Sequence, residues 1–183
     1  MGLDIVEFVM GVEEAVGVRI PDDVAATIST PRMLVTYLHG QLPQDRGPRC
    51  LSQRAFYRVR GTLADRLGVA RSALRPDTEL LATLPAANGR AVWAEVGESL
   101  GISRWPRARG GGWLAHVFLH GRPRTLGEAA RHVATFSPSA VKPAGEGWSW
   151  GEVAAVVGGQ MWHHFAIRAC SLDDRFVEDL GLD

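Results

Sequence analysis

The feature that most constrains this chain is a pattern that occurs once whole in its middle and once broken across its two ends. Residues 77–100, DTELLATLPAANGRAVWAEVGESL, have a counterpart in two pieces. The last residues, DDRFVEDLGLD (173–183), match the first half of that segment, and the first residues, GLDIVEFVMGVEEAVG (2–17), match its second half. TPRMLVTYL (30–38) likewise matches TLGEAARHV (125–133). A repeat with one split copy forms two similar units within one chain if the chain ends come together, as termini of compact domains often do, or else in a domain-swapped dimer in which each chain completes its neighbour. The pattern therefore predicts a central unit over 52–135 and a second unit built from 148–183 and 1–42. Stretches 43–51 and 136–147, rich in Pro, Gly and charge, read as linkers.

The periodicity throughout is helical. Over 3–16 the residues Leu3, Val6, Val9, Met10 and Val16 fall at helical spacing, and Gly17 is a plausible stop. Ser29-Thr30-Pro31 is a cap followed by a first-turn proline, which opens a helix over about 31–41. Ala55–Leu67, Gly89–Leu100, Leu126–Ala134 (capped by Thr125) and Trp148–Phe165 read as further helices, the last weakened by Gly158-Gly159. Trp113–Leu119 reads as a short helix or a strand. No alternating pattern of strand length occurs. The expected fold class is all-α.

The formal net charge is zero, with 20 Lys+Arg against 20 Asp+Glu. That balance argues against nucleic acid as a partner of the whole molecule. The sum hides a division, because the two ends are acidic and the middle is basic. Residues 46–125 hold fourteen Arg and five acids. Two cysteines, Cys50 and Cys170, are too few for a disulfide framework and point to a reducing, cytoplasmic setting. No apolar run is long enough to span a membrane.

Read across the ends, DDRFVEDLGLD followed by LDIVEFVMGVEEAVGVRIPDD resembles the attachment region of acyl carrier proteins. Phe176, Asp179, Leu180, Gly181, Asp183, Leu3, Asp4, Val6 and Glu7 fit the pattern of that family, and Ile20-Pro21-Asp22 fits the start of its third helix. The middle unit is similar to the family only through Asp77-Thr78, Leu84, Val92 and Thr125-Leu126. The resemblance implies two carrier-like four-helix bundles, one circularly permuted across the termini. It also implies 4′-phosphopantetheine carried on a serine. Gly2 stands in the serine slot of the split unit, and the aligned position of the middle unit is near Asn88; neither residue has the hydroxyl that a phosphodiester requires. The expectation is a protein without cofactor and without catalysis, docking in or near fatty-acid or polyketide biosynthesis. Asp4, Glu7, Glu13 and Glu14 would form the face that meets carrier-recognising biosynthetic enzymes. Two other readings stay open: a true acyl carrier protein whose serine lies beyond a truncated end, and a basic helical adaptor that binds nucleic acid through the middle unit.

Other chemistry-bearing residues carry less. The middle arginines (Arg46, Arg49, Arg54, Arg58, Arg60, Arg66, Arg71, Arg75 and the Arg104–Arg109 loop) read first as a solvated face. Their second reading is pairing with the acidic unit of the same chain or with a partner protein. Trp105 and Trp113 bracket three glycines, but no Lys-Ser/Thr follows to make a phosphate loop. His163-His164 point about 100° apart on a helix, and His116 with His120 lacks a third ligand, so no metal site is expected. Cys170 reads as a buried thiol.

Overall fold

The computed structural model describes residues 3–45, 47, 50–108, 123–167 and 169–182. Among them are eight α-helices and two 3-10 turns, and no strand. Gly2, Trp113, His116, His120, Asp183 and the three glycines after Arg109 lie outside the described residues. Contacts divide the chain into two compact units, Met1–Arg49 with Pro143–Asp183, and Cys50–Lys142.

The first unit holds α1 (Leu3–Val16), α2 (Asp22–Ala25), α3 (Pro31–Gln41) and the helix nearest the C-terminus. Thr30 accepts the Met33 N–H at 3.2 Å, and Pro31 takes the first turn, where its missing N–H costs nothing. Gly17, at φ 73°, closes α1 in the left-handed region that glycine enters without steric penalty. The second unit holds α4 (Leu51–Leu67), the short α5 (Leu80–Thr83), α6 (Gly89–Ser99) and α7 (Leu126–Phe136). Helix α8 (Trp150–Phe165) returns to the first unit. Both α7 and α8 begin with a full capping box, Thr125 with Glu128 and Ser149 with Glu152.

Helix α8 packs against both α1 and α3, so the C-terminal part of the chain closes on the N-terminal part. Helix α4 packs in the same way against α6 and α7. The Gly158-Gly159 pair does not interrupt α8. Val153, Val156, Val157, Gln160 and Met161 are all buried along one side, and Gly158 faces out. Tertiary burial outweighs the propensity cost of about 1 kcal/mol per glycine.

The phase of α1 differs from the expected stripe. Phe8, Val12, Ala15 and Val16 are buried, whereas Val6 is 39% and Met10 61% exposed. Apolar residues occur on nearly every side of this helix, so periodicity alone admits both faces. The ring of Phe8 decides between them, lying 5.4 Å from Phe165 and 6.1 Å from Phe176.

The repeat recurs in the hydrogen bonding. The Phe176 N–H donates to Ser29 O at 2.9 Å, and the aligned Leu80 N–H donates to Arg124 O at 2.9 Å. The Arg32 N–H donates to Leu172 O, and the aligned Gly127 N–H to Pro76 O, both at 2.8 Å. The Ser171 N–H donates to Asp174 Oδ2, and the aligned Arg75 N–H to Thr78 Oγ1. The same turn therefore sits against the same helix start in each unit.

The two passages between the units run side by side in a parallel pairing of Gln44 with Trp148. The Trp148 N–H donates to Pro43 O at 2.6 Å, and the Asp45 N–H donates to Trp148 O at 2.9 Å. A Cβ on Gly147 would lie 2.7 Å from the Gln44 carbonyl carbon and oxygen. Gly147→Ala therefore forces backbone apart and lowers stability by about 1–3 kcal/mol. Phe8→Ala, which empties the first unit's aromatic cluster, costs about 3–5 kcal/mol. Urea denaturation of each variant checks both values.

Candidate functional site

The outward face of α1 combines charge with exposed apolar surface. Asp4, Glu7 and Glu14 are exposed, and Val6 and Met10 lie beside them. Glu7, Met10 and Glu14 follow one another at i, i+3 and i+7, which places them along one side of the helix. Glu13, expected on the same face, points elsewhere. It is half-buried, and its Oε1 accepts the Ile20 N–H at 2.6 Å. That bond ties the end of α1 to the turn beyond Gly17, so Glu13 serves the fold and three acids remain for the face.

Behind this face lies a small apolar cavity of about 30 Å³ that opens to solvent. Ile5, Phe8, Ile28, Leu34, Phe165, Phe176 and Leu182 line it. It draws residues from α1, α3, α8 and the C-terminal segment, so both ends of the chain contribute to one apolar interior.

The C-terminal segment is held against the start of α3. Arg32 donates from Nε to Asp173 Oδ1 at 2.5 Å and from its second nitrogen to Oδ2 at 2.9 Å. This fork-on-carboxylate geometry is the strong form of an ion pair. The hydrogen bond from Arg32 holds the Asp173 carboxyl below its ordinary range, with desolvation opposing it and the Arg32 charge adding to it, and Asp173 raises Arg32 in return.

In the second unit, Asn88 is the exposed residue that precedes α6, and its side chain makes no capping bond. A carboxamide there offers no oxygen that a phosphopantetheine arm can esterify. Ser99, at the far end of α6, is committed elsewhere, its hydroxyl donating to Glu95 O at 2.7 Å and accepting from Arg66 at 3.0 Å. The described residues around the α6 start therefore do not fit the prosthetic group.

Compared with family models, with curated proteins and with solved structures, the chain matches none of them. The site is therefore read from its own residues. No group of three or more His, Cys, Asp or Glu that could hold a metal occurs among the described residues. Cys170 is half-buried, and burial, with the Asp174 charge adding to it, pushes its thiol up. A protonated thiol is the opposite of an activated nucleophile. No described helix is long and apolar enough to cross a membrane.

Sequence reasoning missed two exposed features. One is the partnership of Val6 and Met10 with the acids, which were read as core. The other is an aromatic and basic ridge on α4. There the Arg60 guanidinium lies 5.1 Å from the Phe56 ring centre and 4.9 Å from that of Tyr57. The spacing 56, 57, 60 is the signal that could have revealed it.

The Arg32–Asp173 pair sets a pH dependence with a definite sign. The folded pKa of Asp173 is depressed, so its contribution is present above the unfolded carboxylate value of about 3.9. The contribution is lost as pH falls through the lower folded value. The stability difference between the wild type and Asp173→Asn should be constant near neutrality and vanish on acidification below about pH 4. Thermal melts of the two proteins across that range check the sign; a difference that grows on acidification contradicts it.

Proposed function

We propose that this chain is an acyl-carrier-like docking module of two helical bundles, one permuted across the termini. In this reading it works in or near fatty-acid or polyketide biosynthesis and does not carry phosphopantetheine itself. The observation that carries the reading is the α1 face, where exposed Val6 and Met10 sit beside Asp4, Glu7 and Glu14. An apolar centre with an acidic rim suits a partner that offers a shallow apolar patch ringed by basic side chains. The rim charges steer encounter and exclude wrong partners, and the desolvated apolar centre supplies most of the affinity. Support also comes from the recurring hydrogen bonds of the two units and from the α4 and α8 packing that both share.

The second half of the proposal follows from residue chemistry. Transfer of the prosthetic group needs a nucleophilic hydroxyl, and Gly2 and Asn88 supply none.

Two measurements test the reading. Incubation with a phosphopantetheinyl transferase and coenzyme A should leave the intact mass unchanged; a gain equal to the arm shows a functional carrier instead. Capture of the chain by immobilised carrier-dependent synthases should fall about tenfold or more in E7R/E14R, with Met10→Ala weakening it further. Equal capture of wild type and charge-reversed protein removes the docking role of α1.

A further inference from the structure

The docking reading uses one face of the first unit and leaves the arginine-rich surface of the second unit without a task. By sequence the first unit holds fourteen acids and six bases, and the second holds fourteen bases and six acids. The net charges are equal and opposite. That surplus is matched on the second unit by a particular surface. On α4, Arg60 lies over Phe56 and Tyr57, and Tyr57 is itself 52% exposed. The Gln53 amide donates to the Tyr57 hydroxyl at 3.5 Å and extends the ridge by one turn. At the other end the Arg71 guanidinium lies 3.8 Å from the position a Gly61 Cβ would take. Its acidic neighbour Asp65 is 3.9 Å away and both are well exposed, so this ion pair is weak and open to exchange.

The two surfaces are chemical complements. The α1 face offers a flexible Met10 thioether and Val6 beside carboxylates. The α4 face offers aromatic rings beside guanidiniums. Methionine sulfur packs favourably on aromatic rings, and carboxylates pair with guanidiniums. We propose that the α4 ridge is a docking surface for the α1 face of a second copy of this chain. In that contact Met10 and Val6 meet Tyr57 and Phe56, and Glu7 and Glu14 meet Arg60 and Arg71. Each copy carries both surfaces, so the contact either closes reciprocally into a dimer or continues as an open chain. The proposal borrows the α1 face from the docking reading but needs no carrier-recognising enzyme.

Sedimentation of the purified 183-residue chain tests it. At about 0.1 M salt, where charges are screened over about 10 Å, the mass should exceed the monomer's. At about 1 M salt, with screening over about 3 Å, it should return to the 19.8 kDa monomer. E7R/E14R alone and R60E/R71E alone should each weaken association about tenfold or more. An equimolar mixture of the two should recover it, because each supplies the surface the other has lost. Circular dichroism checks that the variants are folded, and Y57A/R71E replaces R60E/R71E if the latter is not. A 19.8 kDa species at every salt concentration overturns the proposal, as does association that the reversals leave unchanged. A monomer that synthases still capture through α1 leaves the docking function standing; self-association without capture does the reverse.

Discussion

Helix α8 is the element on which the first unit depends. It holds together two segments, α1 and α3, that the chain supplies from its opposite end. The contact with α1 is close because Gly11 has no side chain. Gln160 is fully buried and donates its amide to Gly11 O at 3.0 Å, while its Oε1 lies 2.9 Å from where a Gly11 Cβ would be. A buried amide bound to a backbone carbonyl is directional in a way that apolar packing is not. It sets the register of α8 on α1, and Val12, Val153, Val156 and Val157 fill the interior around it.

The rotation of α1 about its axis then decides what the molecule can present. With Phe8 and Gly11 turned inward, helical geometry leaves Met10 and Glu14 on the outside. The proposed docking face is thus a consequence of the same packing that closes the chain. The C-terminal segment completes the arrangement, since Arg32 fastens Asp173 to the start of α3 and brings Phe176 and Leu182 to the cavity behind α1.

Local signals were legible in the sequence where the physics is local. Thr30 with Pro31, and Thr125 with Glu128, cap helices through contacts three residues apart. Gly17 and Gly68 end helices at positive φ. The repeat was legible too, and its register returns in paired backbone bonds. What escaped depends on distant partners. The phase of α1 rests on Phe165 and Phe176, more than 150 residues away in sequence. The inward turn of Glu13 needs the bend at Gly17 to bring the Ile20 N–H within reach. Leu51, expected in a linker, begins α4 and is almost fully buried. Trp148, expected in a helix, instead pairs its backbone with Pro43 and Asp45, a contact no periodicity encodes.

Under the proposed reading, a carrier-like fold without an attachment hydroxyl answers to different demands from a working carrier. A carrier must expose its serine to a transferase and later release its acyl cargo, which keeps the start of the second helix accessible and mobile. In that scheme the segment after Asn88 serves packing. Gly89 is buried, with its Cβ position only 2.8 Å from Leu84 Cβ, and Gly97 lies flat against the Trp105 ring. The Trp93 and Trp105 rings meet at 4.6 Å with a 41° tilt, and Trp93 donates its ring N–H to Pro106 O at 2.7 Å. This close packing runs along α6, from its buried start at Gly89 to Gly97 near its end. In the proposed scheme the second unit therefore contributes rigidity and positive charge, and the first contributes the recognition face.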